Sequence, residues 1–288
     1  MAIKKYKPTS AGRRAGSVID YKKLLTKFKP ERSLCKAQTR CGGRNHHGVI
    51  TVGGRGGGNK RMYRIIDFKR TRDGMPATVL SLEYDPNRSC FIALVQYEDS
   101  VKSYILAPHG LKVGSKVVSG VDSPPEVGNC MPLANIPAGM EIHNIEMNPG
   151  QGGKLVRSAG GVGRLGAKEG EWSVIILPSG EMRRVRSACR ATIGQLSNLD
   201  WINVSIGKAG RMRHMGVKPQ SRAKAKNPID HPMGGGEGRT NGGRHPCSKT
   251  GVLAKGGKTR NPRKLSERLI LRRRKFGLHQ QRPQTVNA

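Results

Sequence analysis

Between residues 61 and 120 apolar positions come in short runs broken by turn residues, a pattern that predicts five strands, at 63–68, 77–84, 90–97, 101–106 and 116–119. Each break carries its own turn chemistry: Asp73-Gly74 suits a tight turn, Asp85-Pro86-Asn87 a type I turn, Glu98-Asp99-Ser100 a hairpin loop and Pro108-His109-Gly110 a bend. Strands so short and so regularly spaced predict a small closed barrel of the OB kind. Residues 121–126, VDSPPE, read as a stiff linker, and a second strand set follows at 141–147, 154–158, 172–177, 181–186 and 191–196, with Pro178-Ser179-Gly180 closing a hairpin. An SH3-like barrel is the expected form of this set, because closure removes exposed strand edges. Outside these regions the periodicity fades, leaving only short helices expected at 18–27 and 262–271. The expected organisation is mainly β: a basic N-terminal extension at 1–60, an OB-like barrel at 61–120, an SH3-like barrel at 121–200 and a glycine-rich C-terminal extension at 201–288.

Charge sharpens this division. The 288 residues carry 53 Lys and Arg against 19 Asp and Glu, a formal net charge of +34. Residues 1–74 hold 20 basic and 4 acidic side chains, 75–153 hold 4 and 8, 154–200 hold 8 and 4, and 201–288 hold 21 and 3. A near-neutral middle between two strongly basic ends implies a polyanionic partner. With 35% of residues hydrophobic and 4% aromatic, the core must be modest. No apolar run approaches the ~20 residues of a membrane helix, and the basic start MAIKKYKPTSAGRR lacks the apolar region of a secretory signal. Cys35, Cys41, Cys90, Cys130, Cys189 and Cys247 are scattered without a framework, as free thiols in a reducing compartment would be.

The stretch 227–244, NPIDHPMGGGEGRTNGGR, holds six glycines and almost nothing to bury. Glycine lets a backbone approach a surface closely. With basic residues on both sides, this composition fits folded RNA read through phosphate, 2′-hydroxyl and shape. Nucleotide binding fails on spacing: the P-loop needs G-x-x-x-x-G-K-[ST], but Asn59 separates the last glycine from Lys60, and Val252 stands where Gly257-Lys258-Thr259 would need its first glycine. Cys35, Cys41, His46 and His47 lack zinc-ligand spacing, so no metal site is expected. Tyr84, Phe91, Tyr97 and Tyr104 fall at strand spacing that means core, not a stacking platform. His231 is the one candidate general base, without a second catalytic group near it in sequence. The residues assigned to RNA contact are Arg55, Lys60, Arg61, Arg64, Lys69, Arg70, Lys154, Arg157, Lys208, Arg211, Arg213, Arg222, His231, Arg239, Arg244, Lys258 and Arg260.

Long motifs in a fixed order resemble one family, the bacterial form of the universal large-subunit ribosomal protein two. They are GGRGGGNKRMYRIIDFKR at 53–70, EYDPNR at 83–88, YILAPHG at 104–110, EMNPGQGGKLVRSAG at 146–160, LPSGEMR at 177–183, GKAGR at 207–211, NPIDHPMGGGEGR at 227–239 and KTR at 258–260. The resemblance implies an OB-like then an SH3-like barrel and primary binding to large-subunit rRNA. It implies a C-terminal extension near the peptidyl transferase region, contact with small-subunit rRNA at the subunit interface, and indirect support of tRNA binding. Neighbouring ribosomal proteins are implied partners, with no membrane, and the chain is expected as a monomer in the ribosome of a cytoplasm or an organelle stroma. No cofactor is expected beyond Mg or K ions shared with the rRNA. A peptidyl transferase role has been suggested for the histidine matching His231, and contested because the active site is RNA; Met233 stands where many bacterial members have a second histidine. Two alternatives remain at this point: direct participation of His231 in peptidyl transfer, and a free RNA chaperone or assembly factor.

Overall fold

The computed structural model describes residues 2–255, 260–261 and 263–274. The described residues divide into two compact units, one comprising residues 2–39, 60–211 and 268–274, the other residues 40–59 and the described part of 212–267. The fold is mainly β, an OB-like curled sheet followed by an SH3-like one. Two small ribbons precede them: β1 (Ile3–Lys5) pairs with β2 (Ser17–Ile19), and β3 (Cys35–Ala37) pairs with β4 (Met62–Arg64).

The first sheet contains β5 (Ala77–Glu83), β6 (Ile92–Tyr97), β7 (Lys102–Leu106) and β8 (Lys116–Val117), ordered β7-β6-β5-β8. Its central strand β6 is buried on both faces. Phe91, Ala93, Val95 and Tyr97 enter one apolar cluster, and Cys90, Ile92 and Leu94 enter another, as a period of two requires. Tyr104, fully buried, donates its hydroxyl to Glu83 Oε2 at 2.7 Å and accepts the Glu31 amide at 2.8 Å. Burial first, then the bond to Glu83, pushes its ionisation up. The N-terminal stretch expected as an extension contributes here: Ile19 and Leu25 are buried in the first cluster. Where one helix is expected at 18–27, the chain ends β2 and makes a single turn at Tyr21–Leu24.

The second sheet has seven strands, β9 (Cys130–Pro132), β10 (Glu141–His143), β11 (Gly163–Glu169), β12 (Trp172–Ile176), β13 (Met182–Arg186), β14 (Arg190–Ile193) and β15 (Ile270–Arg272), in the order β15-β13-β12-β11-β10-β14-β9. Met131, Leu133, Ile142, Leu165, Ile175, Val185 and Ile193 fill its core. Two departures from the pattern have physical causes. The stretch 154–158 is a loop, with Leu155 making one isolated bridge to Ile145 and Val156 at φ 52°. The strand in its place, β11, reads GRLGAKE, whose glycines and charges hide it. The helix expected at 262–271 is also replaced: among the described residues there is one 3-10 turn, Leu265–Glu267, followed by β15.

Polar bonds join the two sheets. Arg190 reaches Asp73 Oδ1 at 2.6 Å and Oδ2 at 2.5 Å and donates to Arg70 O at 2.9 Å, while Asn198 Nδ2 donates to Ser89 O at 2.5 Å and His109 N to Gln195 O at 2.7 Å.

The second unit is built differently. Residues 40–59 and 212–218 run side by side, with Gly56 N donating to Gly216 O at 3.0 Å, Asn59 N to His214 O at 3.0 Å and Lys218 N to Gly54 O at 2.8 Å. A Cβ at Gly58, φ +85°, would meet Gly216 N at 2.8 Å, so only glycine permits this approach. Met233 is the sole buried hydrophobic side chain among the described residues of this unit.

His143 is fully buried; its Nδ1 must donate to Gly194 O at 2.7 Å, because a carbonyl only accepts, and Nε2 has no partner. Burial pushes its pKa down to about 4. The unfolded chain therefore binds a proton between pH 6.5 and 4 that the folded chain refuses, and stability falls as pH drops through that window. A shift of this size costs on the order of 3 kcal/mol by pH 4. The variant His143→Asn, which keeps the donor, should show a flatter loss in urea unfolding between pH 6.5 and 4; parallel curves for the two proteins would refute the assignment.

Candidate nucleic-acid interface

An open groove of about 1100 Å³ lies within the first unit, walled by both sheets. Arg61 and Tyr63 come from the start of the β3–β4 ribbon's second strand, Asn87 and Arg88 from the turn between β5 and β6 of the first sheet, and Lys154 and Arg157 from the loop that replaces the expected strand. The local sequence fixes these side chains. Asp85, fully buried, accepts the Asn87 amide at 2.9 Å and Arg88 Nε at 2.5 Å, so the DPNR turn aims Arg88 by its own carboxylate. The Phe68 ring lies under two guanidiniums, Arg157 at 4.6 Å and Arg88 at 5.6 Å from its centroid. Arg157 also donates to Gly153 O at 3.2 Å, and its loop is fastened to the first sheet by Ala159 N to Ser89 Oγ at 3.1 Å and Cys90 Sγ to Arg157 O at 3.4 Å. Preset guanidiniums lose little freedom on meeting a phosphate and present a planar fork that matches its oxygens.

In the second unit a smaller cleft of about 350 Å³ is lined by Arg222, Lys224 and Arg239 with Thr240 and Asn241. The glycine-rich stretch beside it closes on its own backbone: Asp230 N donates to Asn227 O at 2.9 Å, Gly234 N to His231 O at 2.8 Å and Gly235 N to Lys226 O at 3.0 Å. His231 is buried, and its Nδ1 accepts the Met233 amide at 3.1 Å. That bond engages the Nδ1 lone pair.

The sequence-assigned residues therefore separate. Arg61, Lys154 and Arg157 meet in the groove, and Arg222 and Arg239 meet in the cleft. Arg55, Lys60, Lys69, Lys208, Arg213 and Arg244 are exposed elsewhere, and Lys258 lies outside the described residues. Arg211 spends its guanidinium on the carbonyls of Ser17, Ser205 and Ile206, at 2.8, 3.2 and 3.2 Å, and Arg260 pairs with Glu267. Two of the assigned arginines are buried in this structure. Arg64 and Arg70 are 8% and 3% exposed: Arg64 turns back to Met62 O at 3.2 Å, and Arg70 donates Nε to Ser119 Oγ at 3.0 Å and Nη1 to Gly128 O at 3.4 Å. These hydrogen bonds are to oxygens within the protein. Arg88, which ends the EYDPNR motif, also lines the groove and was not among the assigned residues; the aspartate three residues before it was the available signal. Lys224, counted only as part of a basic flank, also lines the cleft.

Among the described residues no group of three or more His, Cys, Asp and Glu side chains could hold a metal ion, and no helix is long and apolar enough to cross a membrane. All six cysteines are unpaired, and burial pushes the Cys90 and Cys189 thiols up to about 11.

Two curled β-sheets with a preset basic groove define a class, β-barrel proteins that meet polyanions through fixed cations. Family comparison resolves which one. Residues 31–119 match the family described as Ribosomal Proteins L2, RNA binding N-terminal domain, and residues 126–251 match Ribosomal Proteins L2, C-terminal domain. The large ribosomal subunit protein uL2 of Rhodopirellula baltica is 56% identical over 275 residues, 96% of each chain. That of Parabacteroides distasonis is 54% identical over 275 residues, 96% of this chain and 100% of its own. The chain belongs to the universal large-subunit ribosomal protein two family.

The internal use of Arg70 can be tested. Arg70→Ala should lower unfolding free energy by about 2–3 kcal/mol, by leaving buried acceptors without a donor. Equilibrium denaturation checks this; an Arg70→Ala protein as stable as the parent but defective in RNA binding would restore the surface role.

Proposed function

We propose that this protein is a structural constituent of the large ribosomal subunit, a primary rRNA-binding protein that supports subunit association, tRNA binding and the peptidyl transferase region. The observation that carries the reading is the groove in which Arg88 and Arg157 are preset on one phenylalanine, in a chain whose family membership is unambiguous over 96% of its length. Large-subunit rRNA is the main partner. Small-subunit rRNA at the subunit interface, tRNA at one remove and neighbouring ribosomal proteins complete the set, with the protein present as a single copy in cytoplasmic ribosomes. Residues 61–120 and 121–200 serve as the barrel domains, and the stretches from 1–60 and 201–288 that lie outside the first core as RNA-facing extensions. Mg or K ions belong to the reading only where they are shared with the RNA.

Catalysis is not part of it. The Met233 amide already engages the Nδ1 lone pair of His231, which supports a structural place for the ring in the backbone turn. In normally assembled subunits His231→Gln should leave single-turnover peptide bond formation within about twofold, since the ring's place is structural. A collapse of that step would reinstate a chemical role.

Binding should follow counterion release, log K falling with log salt at roughly −0.7 to −0.9 per phosphate contacted. Arg157→Ala should weaken binding to a large-subunit rRNA transcript about tenfold and reduce the slope by about one, with the melting temperature of the barrels unchanged. Titrations at several salt concentrations measure both, and a shallow slope for the parent protein, or equal affinity for random RNA, would overturn the reading.

A further inference from the structure

The chain leaves the first unit after Arg211 and re-enters it at Arg268. Re-entry is made by main-chain pairing: β15 lies antiparallel to β13, with Ile270 opposite Arg183 and Arg272 opposite Met182, and Arg184 N donates to Leu269 O at 2.8 Å. The register shifts between these pairs, so Leu271 is the extra residue of a bulge and is exposed. Ile270 is half-buried and Arg272 exposed, so the strand brings little apolar area with it. It is held by the edge of β13, which it covers. The other excursion has the same construction at its base: residues 40–59 lie between β3 and β4, which pair with each other, Cys35 opposite Arg64 and Ala37 opposite Met62.

We infer that β15 is a clasp that positions the basic segment 212–267 for RNA by fixing its second end. The inference rests on the rRNA-binding function proposed above and adds to it a positioning role for Ile270. That segment carries 13 Lys and Arg against 3 Asp and Glu and has Met233 as its only buried hydrophobic side chain among the described residues. Anchored at one end, such a chain loses much freedom when RNA orders it. Anchored at both, part of that loss has already occurred, at the cost of closing one loop. The clasp therefore raises affinity without adding a phosphate contact. The coupling is reciprocal, so RNA that orders the segment also holds β15 on β13.

The experiment uses the full chain and a large-subunit rRNA transcript, comparing the parent, Ile270→Pro and Ile270→Val across salt concentrations. Proline cannot continue the strand and leaves the charge unchanged. The proline variant should bind roughly ten- to a hundredfold more weakly, with the same slope of log K against log salt and with unchanged near-ultraviolet circular dichroism of the barrels. Valine should restore parental binding. Equal affinity of the proline variant and the parent overturns the clasp and leaves the rRNA reading intact. A reduced slope also overturns it, by showing that the strand contributes contacts itself. Weak, salt-insensitive binding by the parent overturns the reading underneath. If proline perturbs the barrel, the double variant Ile270→Gly, Leu271→Gly weakens the strand more gently and is held to the same outcomes.

Discussion

Sixteen lysines and arginines and three carboxylates share residues 40–59 and 212–267, and one hydrophobic side chain there, Met233, is buried among the described residues. Like charges at that density repel, and screening by salt removes only part of the repulsion. Apolar burial, the usual counterweight, is nearly absent. What remains is backbone hydrogen bonding between glycine-rich strands, worth about 1 kcal/mol net per bond, against an ordering cost of similar size per residue. The balance is reached only when a polyanion supplies the missing favourable term. A surface of phosphates does so, since each cation that releases a condensed counterion contributes to binding.

The first unit has the opposite character. Three apolar clusters, a central strand buried on both faces and the Arg190–Asp73 pair hold it together from within. Rigidity here has a functional use, because the groove draws its walls from both sheets and its cations are aimed from within: Arg88 by buried Asp85, Arg157 by Phe68 and Gly153 O. A stable platform with preset guanidiniums and a basic unit completed by its ligand divide the labour between precision and reach. The N-terminal and C-terminal stretches are not separate tails in this arrangement. They pair with each other at Gly56–Gly216 and Gly54–Lys218.

Much of this was legible in the sequence. β5 announces itself by period-two alternation and β6 by an unbroken apolar run, and their turns by Asp85-Pro86-Asn87 and Glu98-Asp99-Ser100. β11 was not legible, because a strand of glycine and charge has no apolar signature, and β15 was not, because its partner lies far away in sequence and pairs through the main chain. The family and its rRNA-binding character could be read from long ordered motifs. Which arginines face outward could not: Arg64 and Arg70 look the same in sequence as Arg61 and Lys69, and burial depends on side chains such as Ser119 that arrive from elsewhere in the fold. Nor could the hydrogen bond of His231 be read, since it is made by one amide two residues away.

Amide hydrogen exchange on the protein alone and on the protein bound to large-subunit rRNA tests the central claim most directly. The amides of Asn59, Gly216, Lys218 and Gly235, all hydrogen-bonded in the structure, should exchange rapidly in the free protein at low ionic strength and slow sharply with RNA, while those of β6 and β12 stay protected in both. Slow exchange of the four in the free protein, equal to that of the barrel strands, would contradict the account.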